Sequence, residues 1–435
     1  MKICVSGLWH LGCVTAAGLA AAGHQVIGLD CEQARVAKLR RGIAPVSEPD
    51  LDRLIAQGLS SNRLQFSSTL SEATRNIDVF WVTHDTPIDD DDGADSDFVM
   101  AQIERELLGV NADTLVLISS QLPVGSIRRL EHSPALNGRP APLRFAYSPE
   151  NLRLGSAVND FLHPQRIVVG IRSDRDRQAL HTLLSPLCQR IEWMSVESAE
   201  MTKHAINAFL ATSIAFANEL ALICETVGAD PREVERGLKS ENRIGPRAYL
   251  SAGAAFAGGT LGRDVAFLNQ TSRRHGVTTP LLSSVLPSND LHKHWARQKL
   301  AALRADLSQS TVAVWGLTYK PGTDTLRRSA SVELCDWLIS HGASIQVHDP
   351  LVNCLPERWG AAARRYDDPL AAVPGAQVLV LATDSPVYRA ISSAQLLACV
   401  SNRLLVLDAN RLLPHLADAG EHLEYFAVGT SIGDA

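Results

Sequence analysis

The chain has 435 residues, a formal net charge of −6 and a hydrophobic content of 46%. This length indicates two to three domains of roughly 150 residues, each able to bury its own core. The ordinary charged fraction of 20% excludes a disordered chain, and the negative net charge excludes nucleic-acid binding through bulk electrostatics. An anionic ligand would therefore need local cations.

Eight cysteines are dispersed along the chain, without a C-x-x-C pair or a Cys/His cluster at zinc spacing. We therefore expect no metal, and a reducing, cytoplasmic compartment. The apolar N-terminal stretch resembles a signal peptide, but Gly7, His10 and Gly12 interrupt it. No uninterrupted apolar run reaches the roughly 18 residues of a spanning helix, so we expect no association with a membrane.

The N-terminal part alternates strands with helices. Residues 2–6 have the pattern of a short buried strand, and a turn with two glycines then opens an alanine-rich helix that stops at Gly23. Further strand patterns follow at 24–30, 79–83 and 114–119. This alternation predicts a parallel, doubly wound sheet.

The middle of the chain has a helical character. Residues 198–227 form one long helical pattern, which is apolar on nearly all sides between residues 205 and 224. Such a helix is usually buried in a core or against a second subunit. Helical patterns continue to about residue 303.

The C-terminal part repeats the opening plan: a strand at 311–315, Gly316, a helix at 331–340, a strand at 344–348 and then Asp349. The predicted fold class is α/β, with two Rossmann-like, doubly wound domains that flank a central helical domain with a long helix. The predicted boundaries are 1–195, 196–303 and 304–435.

The first strand–helix turn is a candidate dinucleotide site. Gly7 and Gly12 would allow a tight turn and close helix–strand packing, and the N–H groups of the helix would bind the pyrophosphate. Asp30 follows Gly7 by 23 residues and would bind the ribose hydroxyls, which favours NAD over NADP. Trp9 replaces the middle glycine of the fingerprint, so a structural turn without a dinucleotide stays an alternative.

Five collinear segments resemble the UDP-glucose/GDP-mannose dehydrogenase family, and the resemblance runs from residue 1 to about Arg411. The segments are 35–49, 147–155 (YSPENLRLG), 199–210 (AEMTKHAINAFL), 243–247 (RIGPR) and 316–327 (GLTYKPGTDTLR).

The resemblance implies an NAD-dependent enzyme of polysaccharide or glycoconjugate biosynthesis. Family members oxidise the C6 hydroxyl of a nucleotide sugar to a carboxylate with two NAD molecules, through a thiohemiacetal on a cysteine. It further implies a UDP-sugar as the substrate, an NAD-binding first domain and a nucleotide-sugar-binding last domain. The long apolar helix predicts a homodimer in which the middle domain is the dimerisation domain.

The resemblance also implies roles for individual residues. The catalytic set is Lys203, Asn207, Glu150, Asp264 and Thr260. The cofactor-binding set is Gly7, Trp9, His10, Leu11, Gly12, Asp30, Arg35, Thr86, Gln121 and Arg327. The substrate-binding set is Arg153, Arg247, Lys320 and Arg411. Lys203 and Asn207 are four residues apart and share a helix face, where an ammonium and an amide could stabilise an alkoxide.

Thr260 stands where the resemblance places the family's cysteine, and no cysteine lies between Cys224 and Cys335. A threonine hydroxyl is far less acidic than a thiol, so we expect no thioester step. Gln121, Asn151, Leu154 and Arg263 also depart from the family's motifs. The acidic run at 89–92 lacks the spacing of a calcium loop and indicates a solvated loop.

Three hypotheses follow. The first is oxidation of a nucleotide sugar by a single hydride transfer, with Glu150 as the base. The second is four-electron oxidation through a hydrated aldehyde, with water activated by Asp264 or Glu150. The third is a non-catalytic protein that binds a nucleotide sugar or NAD.

Overall fold

The computed structural model describes residues 1–87, 95–137, 139, 142–150, 152–257, 259–303, 306–319 and 321–431. The acidic run at 89–92 lies outside these residues. The chain forms two compact units, Met1–Ile206 and Asn207–Ala435. The division into three domains at 195 and 303 stays a prediction.

The first unit is built on an eight-stranded sheet. Its strands are β1 (Lys2–Ser6), β2 (Gln25–Leu29), β3 (Leu64–Ser67), β4 (Val79–Val82), β5 (Leu115–Ile118), β6 (Arg144–Tyr147), β7 (Ile167–Ile171) and β8 (Ile191–Ser195). They lie in the order β3-β2-β1-β4-β5-β6-β7-β8, and β6 and β7 pair antiparallel whereas the other neighbours pair parallel.

Helices connect these strands and cover both faces of the sheet. They are α1 (His10–Ala21), α2 (Gln33–Leu39), α3 (Leu51–Ser60), α4 (Leu70–Ala73), α5 (Ser96–Leu107), α6 (Ser126–Glu131), α7 (Ala157–Leu162) and α8 (Asp174–Leu184), with a 3₁₀ turn at Pro134–Leu136. Because both faces are covered, every residue of β4 and β5 is buried, which explains their uniformly apolar sequences.

Helix α9 (Val196–Val227) begins in the first unit and ends in the second. The second unit continues with α10 (Pro231–Ser240), α11 (Thr260–Arg274), α12 (Pro280–Lys293) and α13 (Trp295–Leu303). Among the described residues, α9 is the one helix long and apolar enough to cross a membrane by length and composition alone. This is weak evidence for a membrane span, because a core helix of a soluble protein passes the same test.

The rest of the second unit is a parallel six-stranded sheet in the order β11-β10-β9-β12-β13-β14. Its elements are β9 (Thr311–Trp315), α14 (Ala330–Ser340), β10 (Ser344–His348), β11 (Ala363–Arg365), β12 (Val378–Leu381), α15 (Pro386–Arg389), α16 (Ser393–Leu397), β13 (Leu404–Leu407) and β14 (Leu423–Phe426), with 3₁₀ segments at Glu357–Ala362, Leu370–Ala372 and Pro414–Leu416. Two parallel-sheet, Rossmann-like folds and a helical region with a long helix confirm the predicted fold class.

The first glycine turn is fastened to the end of strand β2. Gly7 has a φ of +95°, a conformation that L-residues rarely adopt, and its N–H donates to the Leu29 carbonyl at 3.0 Å. The next N–H, of Leu8, donates to the Asp30 carboxylate at 2.8 Å. The aspartate that ends the second strand therefore holds the turn that opens α1.

The second unit repeats this arrangement at Gly316. Its φ is +92°, and its N–H donates to the His348 carbonyl at 2.8 Å. The N–H of Leu317 donates to the Asp349 carboxylate at 2.7 Å. The repeat that the sequence predicts is thus a repeat of hydrogen bonds and not only of element order.

We predict that protonation of His348 destabilises the fold. Burial lowers the pKa of His348, whose ring packs against Tyr388, below the usual value of about 6.5. Below about pH 6.5 the imidazole of His348 is therefore protonated more readily in the unfolded chain than in the folded chain. The free energy of unfolding falls as the pH falls through this range. Between pH 7 and pH 5, the melting temperature of the His348→Gln variant should fall less than that of the wild type.

The exposed His422 supplies the control. The His422→Gln variant should keep the pH dependence of the wild-type melting temperature. An unchanged pH dependence in His348→Gln would contradict the assignment.

Candidate functional site

The turn at residues 7–12, the cofactor turn, is shaped so that only glycine fits at its two ends. A Cβ on Gly7 would lie 2.5 Å from His84 Nδ1, and a Cβ on Gly12 would lie 1.8 Å from the Gly7 carbonyl oxygen. The start of α1 can therefore approach a ligand closely, and its first N–H groups have no partner within the helix. This geometry fits the pyrophosphate of a dinucleotide.

Asp30 and Arg35 lie beside this turn at the end of β2. Arg35 donates to Asp30 Oδ2 at 2.6 Å and to Glu32 Oε2 at 2.5 Å, and the Glu32 N–H donates to Asp30 Oδ1 at 2.9 Å. Two carboxylates at this place can accept bonds from ribose hydroxyls and repel a 2′-phosphate. The residues present therefore fit NAD better than NADP.

Trp9 differs from the glycine that the fingerprint requires at its position. It is the N-cap residue of α1, its side chain is 45% exposed, and the Arg35 guanidinium lies 5.2 Å from the centroid of its ring. Arg35 thus contacts both Trp9 and Asp30. A residue with a Cβ at the position of the middle glycine hinders the close approach of the backbone to a pyrophosphate.

Two further predicted cofactor residues meet at the ends of β4 and β5. The Thr86 hydroxyl donates to the Gln121 carbonyl at 2.7 Å, and both residues are buried.

Leu11 is buried and lines a cavity of about 100 Å³ that extends to Ser148, Pro149 and Glu150.

Lys203 and Glu150 form the centre of the catalytic set in the first unit. Lys203 is buried on α9, and its Nζ donates to the Glu150 backbone carbonyl at 2.6 Å and lies 3.8 Å from Glu150 Oε1. Glu150 Oε2 accepts the Leu152 N–H at 2.8 Å. An ammonium next to a carboxylate can stabilise an alkoxide while the carboxylate takes up a proton.

Asn207, Asp264 and Thr260 lie in the second unit. Asn207 is one turn after Lys203 on α9, and its Nδ2 donates to Oδ2 of the fully buried Asp264. Thr260 is the exposed first residue of α11, one turn before Asp264. Gly259, with a φ of +85°, turns the chain into this helix.

The predicted substrate cations are in differing environments. Arg153 is exposed and binds Asp160 at 2.9 Å, which lowers the pKa of that carboxyl. Arg411 has a φ of +52° and donates to the Val428 carbonyl at 3.0 Å, and its burial lowers its pKa. Arg247 and the predicted cofactor residue Arg327 are exposed in the second unit. Lys320 lies outside the described residues.

The sequence patterns assigned no role to four side chains that hold the segment before Thr260. Asn218 accepts the Gly253 N–H at 2.9 Å, and His292 binds the Gly253 carbonyl at 2.7 Å. Asn289 binds both the N–H and the carbonyl of Phe256, at 2.9 and 3.0 Å.

The fourth side chain, Asn410, accepts the Ala254 N–H at 2.8 Å. These side chains satisfy backbone groups of a segment without regular structure, which secondary structure cannot do there. Asn218, Asn289 and His292 are polar residues on helices and Asn410 lies in a turn, so no common sequence pattern marks the four.

Glu48 was also missed, although it belongs to a recognised motif. Its side chain is fully buried and binds His10 at 3.0 Å. It also accepts the N–H groups of Gly155 and Ala157, at 2.9 and 2.7 Å. Among the described residues, no group of three or more His, Cys, Asp or Glu side chains could hold a metal ion.

The models of three domains of the UDP-glucose/GDP-mannose dehydrogenase family match this chain in order. They are the NAD binding domain at residues 1–188, the central domain at 197–291 and the UDP binding domain at 313–415.

Relatives match over almost the full length. A UDP-glucose 6-dehydrogenase of Pseudomonas aeruginosa is 34% identical, over 97% of this chain and 96% of the relative. One of Rhizobium meliloti is 32% identical, over 93% of this chain and 94% of the relative. The solved structure of a UDP-glucose dehydrogenase from Pyrobaculum islandicum has a TM-score of 0.83 and 29% identity, and covers 99% of this chain and 98% of its own.

We predict that Trp9 weakens NAD binding. In the Trp9→Gly variant the backbone can approach the pyrophosphate, so the Kd for NAD, measured by calorimetry, should fall roughly tenfold, equivalent to about 1.4 kcal/mol.

Trp193 on strand β8 supplies a matched control, because the Arg177 guanidinium lies 5.4 Å from the centroid of its ring. The Trp193→Ala variant should leave the Kd for NAD unchanged. A higher Kd in Trp9→Gly would show instead that the indole contributes to binding the cofactor.

Proposed function

Because this chain belongs to the UDP-glucose/GDP-mannose dehydrogenase family and is an NAD-dependent dehydrogenase that acts on a CH–OH group, we propose that it oxidises a nucleotide sugar by a single hydride transfer. The product would be the corresponding aldehyde or ketone. The observation that carries the proposal is the buried Lys203 ammonium, held at the Glu150 backbone beside the Glu150 carboxylate.

Oxidation of the CH–OH group removes a hydride from the carbon and a proton from the oxygen, and each needs its own acceptor. Bound NAD supplies the acceptor for the hydride that leaves the carbon. The Lys203 ammonium would bind the substrate oxygen and stabilise its developing negative charge. The Glu150 carboxylate would accept the hydroxyl proton. Asn207, one helical turn after Lys203, would orient the same oxygen.

The absence of a thiol from residues 225–334 supports a single step. The flanking cysteines are Cys224, which is buried, and Cys335, whose burial raises its pKa far above the usual range. The residue at the start of α11 is Thr260, whose hydroxyl would need a strong base before it could attack an aldehyde. An aldehyde made by the first hydride transfer would therefore be released.

Asp264 is poorly placed to activate water, as the alternative reaction through a hydrated aldehyde would require. Its carboxylate is fully buried and already accepts a bond from Asn207. A base that activates water needs an oxygen that water can reach. Glu150, which is only partly buried, is the better placed carboxylate for either reaction.

A UDP-sugar is the proposed substrate, and UDP-glucose is the first to test. The third matching family model describes a UDP binding domain, and the relatives from Pseudomonas aeruginosa and Rickettsia typhi, 34% and 31% identical, are UDP-glucose 6-dehydrogenases. The proposed contacts to the diphosphate and the sugar come from Arg153, Arg247, Lys320 and Arg411. Such cations would recruit a dianion despite the net charge of −6.

The test is the number of NADH molecules formed for each sugar consumed. The wild type should form one NADH and an aldehyde or ketone, identified by mass spectrometry. The Thr260→Cys variant should form two NADH and a uronate, because a thiol can trap the aldehyde for a second hydride transfer. Thr260→Ser, which keeps a hydroxyl, is the matched control and should form one NADH for each sugar consumed.

Each other outcome has a distinct meaning. Two NADH and a uronate from the wild type would show the four-electron reaction. Binding of UDP-sugars without NADH formation, across a panel of sugars, would show the binding-protein alternative.

We also propose a cytoplasmic homodimer with three domains, at 1–195, 196–303 and 304–435. The three domain models match 1–188, 197–291 and 313–415, which supports this division. The buried Glu200, Lys203 and His204 on α9 support a location outside a membrane.

Exposed apolar side chains on α9 support the dimer. Phe209, Phe216 and Ile223 recur every seven residues along the helix and are 70%, 49% and 57% exposed. A stripe of this spacing on one helix face is typical of a helix that packs against another.

We predict that glutamates introduced into the stripe of Phe209, Phe216 and Ile223 dissociate the proposed dimer. The Phe209→Glu/Ile223→Glu variant should have the mass of one chain, 47.0 kDa, in light scattering after gel filtration, and the wild type twice that mass. Phe98, which is 51% exposed on α5, is the matched control. A Phe98→Glu variant that also dissociated, or a monomeric wild type, would contradict the proposed interface.

A further inference from the structure

Glu48 joins two segments that the proposed function uses. The first is the start of α1, where His10 Nε2 lies 3.0 Å from Glu48 Oε2. The second is the end of the loop that begins at Glu150, where the N–H groups of Gly155 and Ala157 donate to the same carboxylate at 2.9 and 2.7 Å. A single side chain therefore binds the cofactor turn and the loop of the candidate base.

The position of this carboxylate is strongly constrained. The Glu48 side chain is fully buried, whereas the side chain of His10 is 18% exposed. Hydrogen bonds to a charged acceptor are stronger than neutral ones, and a buried donor that loses its acceptor is destabilised. A movement of His10 therefore either carries the carboxylate with it or leaves a bond unmade.

The loop on the other side is held at both ends. At its start, the Glu150 carbonyl accepts the Lys203 ammonium at 2.6 Å. At its end, Gly155 and Ala157 are held by Glu48. Gly155 has a φ of +88°, so the chain turns sharply at the point where Glu48 holds it. The position of the Glu150 side chain within the loop depends on both anchors.

We propose that Glu48 is a positioning residue that couples occupation of the cofactor turn to the geometry of the loop that carries Glu150. The coupling runs from His10, through the Glu48 carboxylate, to the N–H groups of Gly155 and Ala157. It rests on the proposed roles of the cofactor turn and of Glu150. Its consequence is that filling of the cofactor turn restrains the loop that carries Glu150 further than the bonds of Glu48 alone do.

Hydrogen exchange of the full chain, with and without NAD, tests this coupling and needs no substrate. In the wild type, NAD should slow exchange in two regions, the turn at residues 7–12 and the loop at 152–157. In Glu48→Gln, one acceptor oxygen is replaced by an NH₂ group, so the amides of Gly155 and Ala157 should exchange about tenfold faster even without NAD. NAD should then protect the turn alone.

Two substitutions of His10 separate coupling from simple anchoring of the loop. His10→Phe keeps a ring but removes the donor to Glu48, so exchange in the loop without NAD should stay at the wild-type rate. NAD at a concentration that still protects the turn should no longer slow exchange in the loop. His10→Gln keeps a donor and should restore the response. A residue with a structural role only would not give this pattern.

Asp176 supplies the matched control. It is buried in the same unit and accepts bonds from Arg144 and Ser173, at 3.0 and 2.8 Å. The Asp176→Asn variant should lower the melting temperature and keep the response of both regions to NAD.

Two results would overturn the proposal: protection of the turn without protection of the loop in the wild type, or an unchanged loop response in His10→Phe. Failure of the proposed function would appear separately, as a lack of NADH formation with every UDP-sugar.

Discussion

Buried carboxylates that accept backbone N–H groups at the ends of strands and helices are the interaction on which this structure depends. A parallel sheet leaves turns at its carboxyl edge whose N–H groups have no partner in the sheet, and burial makes an unmade bond costly. Asp30 holds the first glycine turn and Asp349 the second, while Glu200 accepts the N–H groups of Gly125 and Ile127. Burial raises the pKa of Glu200.

In the candidate site, several kinds of side chain likewise satisfy backbone groups. Loops carry most of its residues, and loops have no strand or helix to hold their backbone in place. Glu48 and Lys203 fix the two ends of the loop that carries Glu150. In the second unit, Asn218, Asn289 and other side chains fix the segment before Thr260. A catalytic group is useful only when it is held in the productive geometry, so these supports matter as much as the groups they place.

Trp9 and Thr260 are the two residues on which the proposed differences in chemistry depend. Trp9 is the N-cap residue of α1, and the Arg35 guanidinium lies 5.2 Å from the centroid of its ring. Thr260 lies at the start of α11, one turn before the buried pair of Asp264 and Asn207. The fold is that of the family's solved structures, so the proposed difference lies in the chemistry and not in the fold.

The sequence by itself determined the fold class and the elements that open each Rossmann-like half, because a period of two or of 3.6 residues and glycine at the turns are local signals. It did not reveal strands β6 to β8 or the antiparallel pairing of β6 with β7. Strands 311–315 and 344–348 were predicted to the residue, and the family resemblance implied the roles proposed for Lys203 and Glu150. Only the tertiary structure decided the contacts of Glu48 and Asn289, and that Arg153 binds Asp160. Such contacts join residues far apart in the chain, and no local pattern records which buried N–H group a distant side chain will meet.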